Sequence, residues 1–168
     1  IGQTKLIEAY DRTLRQHGHH AAQVLLTAAD FNERTSYLNM RNTLFSLLKL
    51  NAVPIINEND TVAVDELMRT VGDNDRLAAL VTNLLRAPLL VILSDVDGLY
   101  DGPPESSDSR LISTVDRIDE EVWRYVQAHR GGMSKGGMAS KLEAARIATT
   151  AGENVILAHG RSDRILDR

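Results

Sequence analysis

The sequence predicts an α/β fold with a mainly parallel sheet. Short apolar runs of strand length alternate along the chain with segments whose apolar residues recur at helical spacing. Strands that alternate with helices are typical of crossover connections and parallel sheets. The run 89–93 is apolar at every residue, which is expected of a strand that helices cover on both faces.

The first half of the chain is predicted to alternate helix and strand. Gly18 follows the first helical pattern as a stop signal. Residues 23–27 and 53–57 are strand-like, and Pro54 favours the start of a strand or a sheet edge. The positions that define the first helix are Leu6, Ile7, Tyr10 and Leu14, and those of the second are Leu38, Arg41, Leu44, Phe45 and Leu48.

The second half continues the alternation. A helix begins near Asp73, with residues 72–74 supplying cap chemistry. The strand 89–93 follows, then a polar loop and a further helix. A glycine-rich loop, 131–137, opens the last predicted helix, and 154–158 form the final strand. With no linker long enough to divide it, the chain is expected to form one domain over residues 1–168.

The composition of the chain argues against several classes of partner and site. Net charge is -4 and aromatic residues make up 4% of the chain, so a nucleic-acid partner is not expected. The chain has no cysteine, which excludes disulfides and thiolate sites. The longest apolar run, 87–93, is too short to cross a bilayer, and no secretory leader is visible. We therefore expect a cytoplasmic protein without a membrane partner.

Polar clusters follow or separate these elements, where ligands of open α/β sheets collect. They are residues 57–60, 72–75 and 94–100. Carboxylates and amides grouped there need partners, such as a cationic ligand, a metal or an amino group. Any one cluster alone is more often turn or cap structure than a ligand site, and either Asp73 or Asn74 could be a helix N-cap.

A glycine-rich segment forms the fourth polar feature. Glycines before a helix let backbone N–H groups approach an anion, which the helix dipole also favours. Lys141 lies about one turn inside this helix, within reach of a phosphate oxygen. A loop with a solvated lysine is the alternative. Neither a Walker loop nor a dinucleotide fingerprint is present. The segment consists of Lys135, Gly136, Gly137, Met138, Ala139, Ser140 and Lys141.

The order of these motifs resembles the glutamate 5-kinase group of the amino acid kinase family. "PIINEND", "GDND", "LSDVDGLY" and "GGMASK" followed by "KLEAARIA" occur in that order, after "QVLLTAADF" and "YLNMRNTL". The resemblance extends from residue 1 to about residue 158. "SDVDGLY" and "GGM" with a following lysine are similar to amino acid kinases in general, whereas "NEND" paired with "GDND" indicates glutamate as the substrate.

The resemblance implies a fold and an activity. The fold would be a three-layer sandwich with a mainly parallel sheet, forming a partial amino acid kinase domain without a C-terminal RNA-modification-type domain. The activity would be ATP-dependent phosphorylation of the glutamate γ-carboxylate to γ-glutamyl phosphate, the first step of proline biosynthesis. Mg²⁺ would accompany ATP, proline would act as a feedback inhibitor, and the protein would form a homo-oligomer.

The resemblance also assigns roles to individual residues. Asp60 and Asn74 would bind glutamate, with Asp60 suited to the α-ammonium group and Asn57 supporting the pocket. Ser94 and Asp95 would contact ATP. Residues 135–141 would form the nucleotide loop, with Lys141 as the catalytic lysine. Asp73 and Asp75 would orient these groups or hold magnesium through water.

Two departures from the family pattern lead to a further expectation. The N-terminal strand with its glycine-rich phosphate loop and second lysine does not precede Ile1, and Lys5 does not replace that lysine. Lys135 stands where a small residue is usual, and its side chain is expected to face solvent. We therefore expect this chain alone to have impaired activity, because a lost phosphoryl-contacting charge removes transition-state stabilisation.

Three other hypotheses about the function remain open. One is another amino acid kinase, acting on acetylglutamate, uridylate or aspartate. Another is a non-catalytic binding or oligomerisation module that pairs through the helix at residues 38–50. A third is a generic sugar- or nucleotide-binding α/β domain. Substrate competition in a phosphorylation assay, or ligand binding without turnover, would distinguish them.

Overall fold

A computed structural model describes residues 2–59, 74–127 and 137–167. The chain divides into two compact units, Ile1–Leu77 (unit 1) and Ala78–Arg168 (unit 2). The boundary between them falls within a helix and not in a linker. The elements in chain order are α1 Gly2–Arg15, β1 His20–Leu26, α2 Ala28–Asn32, α3 Arg34–Lys49, β2 Ala52–Glu58, α4 Asn74–Leu85, β3 Leu89–Ser94, α5 Glu120–Gln127, α6 Met138–Thr150, β4 Asn154–His159 and a 3₁₀ turn Ile165–Asp167.

Unit 1 contains a parallel pair of strands. β1 and β2 pair in register from His20 opposite Ala52 to Leu26 opposite Glu58. α1 ends at Arg15, and Gly18 then adopts φ +77°, a conformation that glycine reaches without steric cost. Gly18 therefore acts as the predicted stop, and the chain turns directly into β1.

Hydrogen bonds of one carboxylate define where α3 begins. Glu33 accepts from the backbone N–H of Thr35 at 2.8 Å and of Ser36 at 2.5 Å. These bonds satisfy N–H groups that have no partner within the helix. They lower the pKa of Glu33 to about 2. Leu44, on the inner face of α3, is fully buried.

Unit 2 contains a second parallel pair. β3 and β4 pair from Leu89 opposite Asn154 to Ser94 opposite His159. One face of this sheet packs against α4 and α6, whose Ala79, Ala144 and Ala148 form one core cluster with the β3 residues Leu90 and Ile92. Small alanines on the helices allow this close approach to the strands.

A second cluster of unit 2 joins α5 and α6. It is built on Leu99, Val122 and Leu142, with Met138 packed against it. Asp119 accepts hydrogen bonds from the N–H groups of Glu121 and Val122 at the start of α5. The polar loop after β3 is closed by an antiparallel bridge between Tyr100 and Leu111.

The structure confirms the α/β class and the parallel pairing of the strands. Every predicted helix and strand is present among the described residues, and the short helix α2 is an addition. Within the described residues, coverage of both faces of the 89–93 strand is not observed, because Leu89 is 44% exposed and Leu93 49% exposed. These two side chains alternate with the buried Leu90 and Ile92 and lie on the opposite face. In the described ranges, no helix is long and apolar enough to cross a membrane.

Candidate functional site

A cavity of about 170 Å³ in unit 1 contains two of the predicted glutamate-binding residues. Asn57 reaches it from the end of β2 and Asn74 from the first turn of α4. The remaining walls come from α1, β1 and β2, and most of the side chains that form them are apolar or aromatic. The lining residues are Gln3, Leu6, Ile7, Tyr10, Gln23, Ile55, Ile56, Asn57 and Asn74.

One hydrogen bond orients the side-chain amide of Asn57. Its Oδ1 atom accepts from the backbone N–H of Glu58 at 2.9 Å. This bond engages the carbonyl end of the side chain, so the Nδ2 group is the end that can donate to a ligand. An NH₂ group in a small, partly apolar cavity is suited to a carboxylate, because hydrogen bonds to charged groups are the stronger ones.

Two glutamines in this cavity were not identified from the sequence. The Nε2 atom of Gln23 donates to Oε1 of Gln3 at 3.1 Å, which joins β1 to α1. Tyr10 is one of the positions that predicted its helix, and it lies on the cavity wall with 47% of its surface exposed. A glutamine within a helix or strand pattern carries no local signal of a ligand site.

The carboxyl end of β3 in unit 2 brings Ser94 and Asp95 together. The Ser94 hydroxyl donates to Oδ1 of Asp95 at 3.1 Å, and the Ser94 carbonyl accepts from the N–H of Gly160 at 2.7 Å. Farther along, the Tyr100 hydroxyl donates to Asp97 at 3.2 Å. Partial desolvation and this hydrogen bond raise the pKa of Tyr100. The segment after β3 is therefore held by its own polar contacts.

The first turn of α6 lies against this same segment. Gly137 is the N-cap of the helix, and the Ser140 hydroxyl donates to the Gly137 carbonyl at 3.0 Å. Met138 and Leu142 pack in the cluster that contains Leu99. The backbone N–H groups of a helix start carry partial positive charge. The described part of the predicted nucleotide loop, residues 137–141, thus adjoins the segment that follows Ser94 and Asp95.

Four of the predicted site residues lie outside the described residues, and their roles stay predictions. They are Asp60, Asp73, Lys135 and Gly136. Asp75 lies in the first turn of α4, where the helix dipole favours a negative charge. Among the residues that the structure describes, no group of three or more histidine, aspartate or glutamate side chains could hold a metal ion.

A second cavity, of about 430 Å³, lies in unit 2 and contains none of the predicted site residues. Loop residues and α5 form its walls, which combine apolar side chains with carboxylates. The charge of Glu121, together with partial desolvation, raises the pKa of the Tyr125 hydroxyl there. The lining residues are Asp101, Ile112, Thr114, Val115, Asp116, Arg117, Asp119, Glu121, Val122 and Tyr125.

Comparison with known proteins identifies relatives of the whole chain. The model of the amino acid kinase family matches residues 1–159. A glutamate 5-kinase of Rhodopirellula baltica is 46% identical over 168 residues, which are 100% of this chain and 43% of the relative. A glutamate 5-kinase of Pseudomonas fluorescens is 48% identical over 170 residues, covering 100% of this chain and 45% of the relative. The chain thus spans less than half the length of these curated relatives.

Proposed function

The chain belongs to the amino acid kinase family, and from that membership we propose that the protein transfers the γ-phosphoryl group of ATP to the γ-carboxylate of glutamate. The product would be γ-glutamyl phosphate, the first intermediate of proline biosynthesis. The identity to curated glutamate 5-kinases supports this choice among the reactions of the family.

One observation carries the proposal. Met138 and Leu142 of α6 pack in one cluster with Leu99, so the start of α6 and the segment after β3 adjoin one another. Helix N–H groups, a serine hydroxyl and a lysine near the same sheet end form the type of environment that stabilises phosphate groups. Ser94, Asp95 and residues 137–141 are accordingly proposed to contact ATP, together with Lys135 and Gly136.

The glutamate site is proposed in the cavity of unit 1. Asn57 and Asn74 belong to separate motifs and line this one cavity, which supports their role in binding a small polar substrate. Nδ2 of Asn57 is proposed to donate to a substrate carboxylate, and Asp60 to accept from the α-ammonium group. Asp73 and Asp75 are proposed to orient these groups.

The reaction needs positioning and charge neutralisation more than proton transfer. A γ-carboxylate oxygen of glutamate attacks the γ-phosphorus of ATP, and the bond between that phosphorus and the β,γ-bridging oxygen breaks to release ADP. The carboxylate is already a nucleophile, so no general base is required. Lys141 is proposed to neutralise charge that develops on the transferred phosphoryl group, and Mg²⁺ would be bound with ATP.

Proline, as the end product of the biosynthetic pathway, is proposed as a feedback inhibitor of this protein. A homo-oligomer is proposed because leucines at 38, 48 and 50, in and just after α3, are 45%, 46% and 73% exposed, and burial of such side chains against a second copy would be favourable. Because its substrates would be ATP and glutamate, the protein is proposed to act in the cytoplasm.

The test is glutamate-dependent ADP formation by the full-length protein, with the acyl phosphate trapped by hydroxylamine. Lys141→Met should lower kcat by about 100- to 1,000-fold, as for loss of one group that stabilises transition-state charge. Lys49→Met, at the end of α3, should leave kcat unchanged. Turnover with aspartate, acetylglutamate or uridylate in place of glutamate would contradict the proposed substrate.

A further inference from the structure

His159 is the last residue of β4 and lies next to the proposed nucleotide site. It is the parallel-sheet partner of Ser94, at the carboxyl ends of both strands. The final strand was predicted to end at Ala158, and this histidine was not among the predicted site residues. The strand pairing places it there.

Strand alternation shows which face His159 occupies. Leu90 and Ile92, on the same face as Ser94, pack in the cluster with Ala144 and Ala148 of α6. Their register partners Val155 and Leu157 pack against that cluster too. Because side chains two residues apart share a face, Ser94 and His159 continue this row on the α6-covered face.

The first turn of α6 extends to the level of His159. α6 has 13 residues and β4 has 6, and both lengths correspond to about 20 Å. Gly152, with φ +94°, reverses the chain between them, so α6 runs antiparallel to β4. The N-terminal turn of α6, with Gly137 and Lys141, therefore comes to the carboxyl end of β4.

Backbone contacts hold His159 in place. The N–H of Gly160 donates to the Ser94 carbonyl at 2.7 Å, which extends the ladder one residue past His159. A Cβ atom at position 160 would lie 3.2 Å from Cβ of Leu93, closer than a side chain there would normally approach. The chain at Gly160 therefore packs closely against the end of β3, next to His159.

A hydrogen bond also fixes which nitrogen of His159 is the donor. The backbone N–H of Arg161 donates to Nδ1 of His159 at 3.1 Å. In the neutral ring, Nδ1 is then the acceptor and Nε2 carries the proton. His159 consequently offers one N–H donor, Nε2–H, at the end of the sheet where Ser94 lies.

We propose that His159 binds the nucleotide by donating a hydrogen bond from Nε2 to a phosphate oxygen of ATP. This inference rests on the proposed kinase function and adds a ligand contact to it. The acceptor is a phosphate oxygen because His159 shares its face and level with the first turn of α6, whose N–H groups favour anions.

Isothermal titration calorimetry of the full-length protein tests this contact by measuring the affinity for three probes. They are the magnesium complex of a non-hydrolysable ATP analogue, inorganic triphosphate and adenosine. His159→Asn keeps an acceptor for the Arg161 N–H and lacks a donor at the Nε2 position. It should bind the analogue and triphosphate about tenfold more weakly, equivalent to about 1.4 kcal/mol, with adenosine affinity unchanged. His159→Gln, whose amide nitrogen reaches that position, should stay within about threefold of the wild type.

Controls separate this inference from the function on which it rests. His19→Ala, in the exposed turn before β1, should bind every probe as the wild type does. Circular dichroism and the thermal midpoint check that each variant folds. Wild-type affinity of His159→Asn for triphosphate, or a loss confined to adenosine, would overturn the phosphate contact alone. A wild-type protein that binds no ATP analogue would overturn the proposed function together with this inference.

Discussion

The Nδ2 atom of Asn83 donates a hydrogen bond of 3.2 Å to the backbone carbonyl of Ile147. The bond joins α4 to the last turn of α6 within unit 2, where helix carbonyls have no donor of their own. Oδ1 of Asn83 is buried and has no hydrogen-bond partner in the part of the chain that the structure describes. The contribution of this side chain therefore depends on Nδ2.

Replacement of Asn83 by alanine should lower the free energy of unfolding by about 1–2 kcal/mol, because the Ile147 carbonyl loses its side-chain donor. Urea denaturation measures the change. Asn42→Ala, on the exposed surface of α3, is the matched control and should change stability by less than about 0.5 kcal/mol. Equal stability of Asn83→Ala and the wild type would show that the bond contributes nothing.

Asn57→Asp tests the donor in the unit 1 cavity. The new carboxylate keeps an oxygen for the Glu58 N–H but replaces the NH₂ donor with a negative charge. KM for glutamate should rise by about 10- to 100-fold, which corresponds to loss of a hydrogen bond to a charged group. KM for ATP should stay unchanged. Asn39→Asp, exposed on α3, should alter neither constant; an unchanged glutamate KM in Asn57→Asp would argue against this site.

Glu33 should make stability depend on pH in the acid range. Its pKa falls from an ordinary value of 4.5 to about 2 in the folded protein, so the unfolded state binds more protons between these values. The stabilisation is present above about pH 4.5 and is lost as pH falls through about 2. The thermal midpoint of Glu33→Gln should therefore lie below that of the wild type at pH 6, and the two should converge toward pH 2.

The control for that measurement is Glu8→Gln, an exposed carboxylate on α1. Its midpoint should follow the wild type across the same pH range. If the gap between Glu33→Gln and the wild type stayed constant from pH 6 to pH 2, the helix-capping carboxylate would not be the source of the pH dependence.

Leu44→Ala should destabilise the protein by about 2–5 kcal/mol, because Leu44 is 0% exposed and its truncation leaves a cavity. Leu166→Ala, in the 3₁₀ turn and 73% exposed, should cost much less. Denaturant unfolding monitored by circular dichroism compares the two variants. Similar losses from both would mean that α3 is not buried as described.

Much of the fold was predictable because its signals are local. Cap residues at 72–74 predicted the start of α4, and the continuous apolar run predicted β3, since both signals come from residues adjacent in the chain. Gly18 marked the end of α1 for a similar reason. The cap at Asp119, which precedes the start of α5 at Glu120, was not predicted.

The candidate site was predictable only in part. The motif order identified Asn57, Asn74, Ser94 and Lys141 as candidates, since their residue types and positions resemble those of a family. Gln23 was missed because a polar side chain on a strand has no sequence signal that separates a cavity wall from a solvated surface.

The sequence by itself determined the α/β class, the order of the motifs and the resemblance to amino acid kinases, all of which depend on neighbouring residues. Only the tertiary structure decided that Asn57 and Asn74 share a cavity, and that His159 pairs with Ser94. It also decided that Leu93 lies exposed while Ile92 is buried. These relationships depend on strand pairing and helix packing between residues far apart in the chain, and local periodicity cannot encode which partners meet.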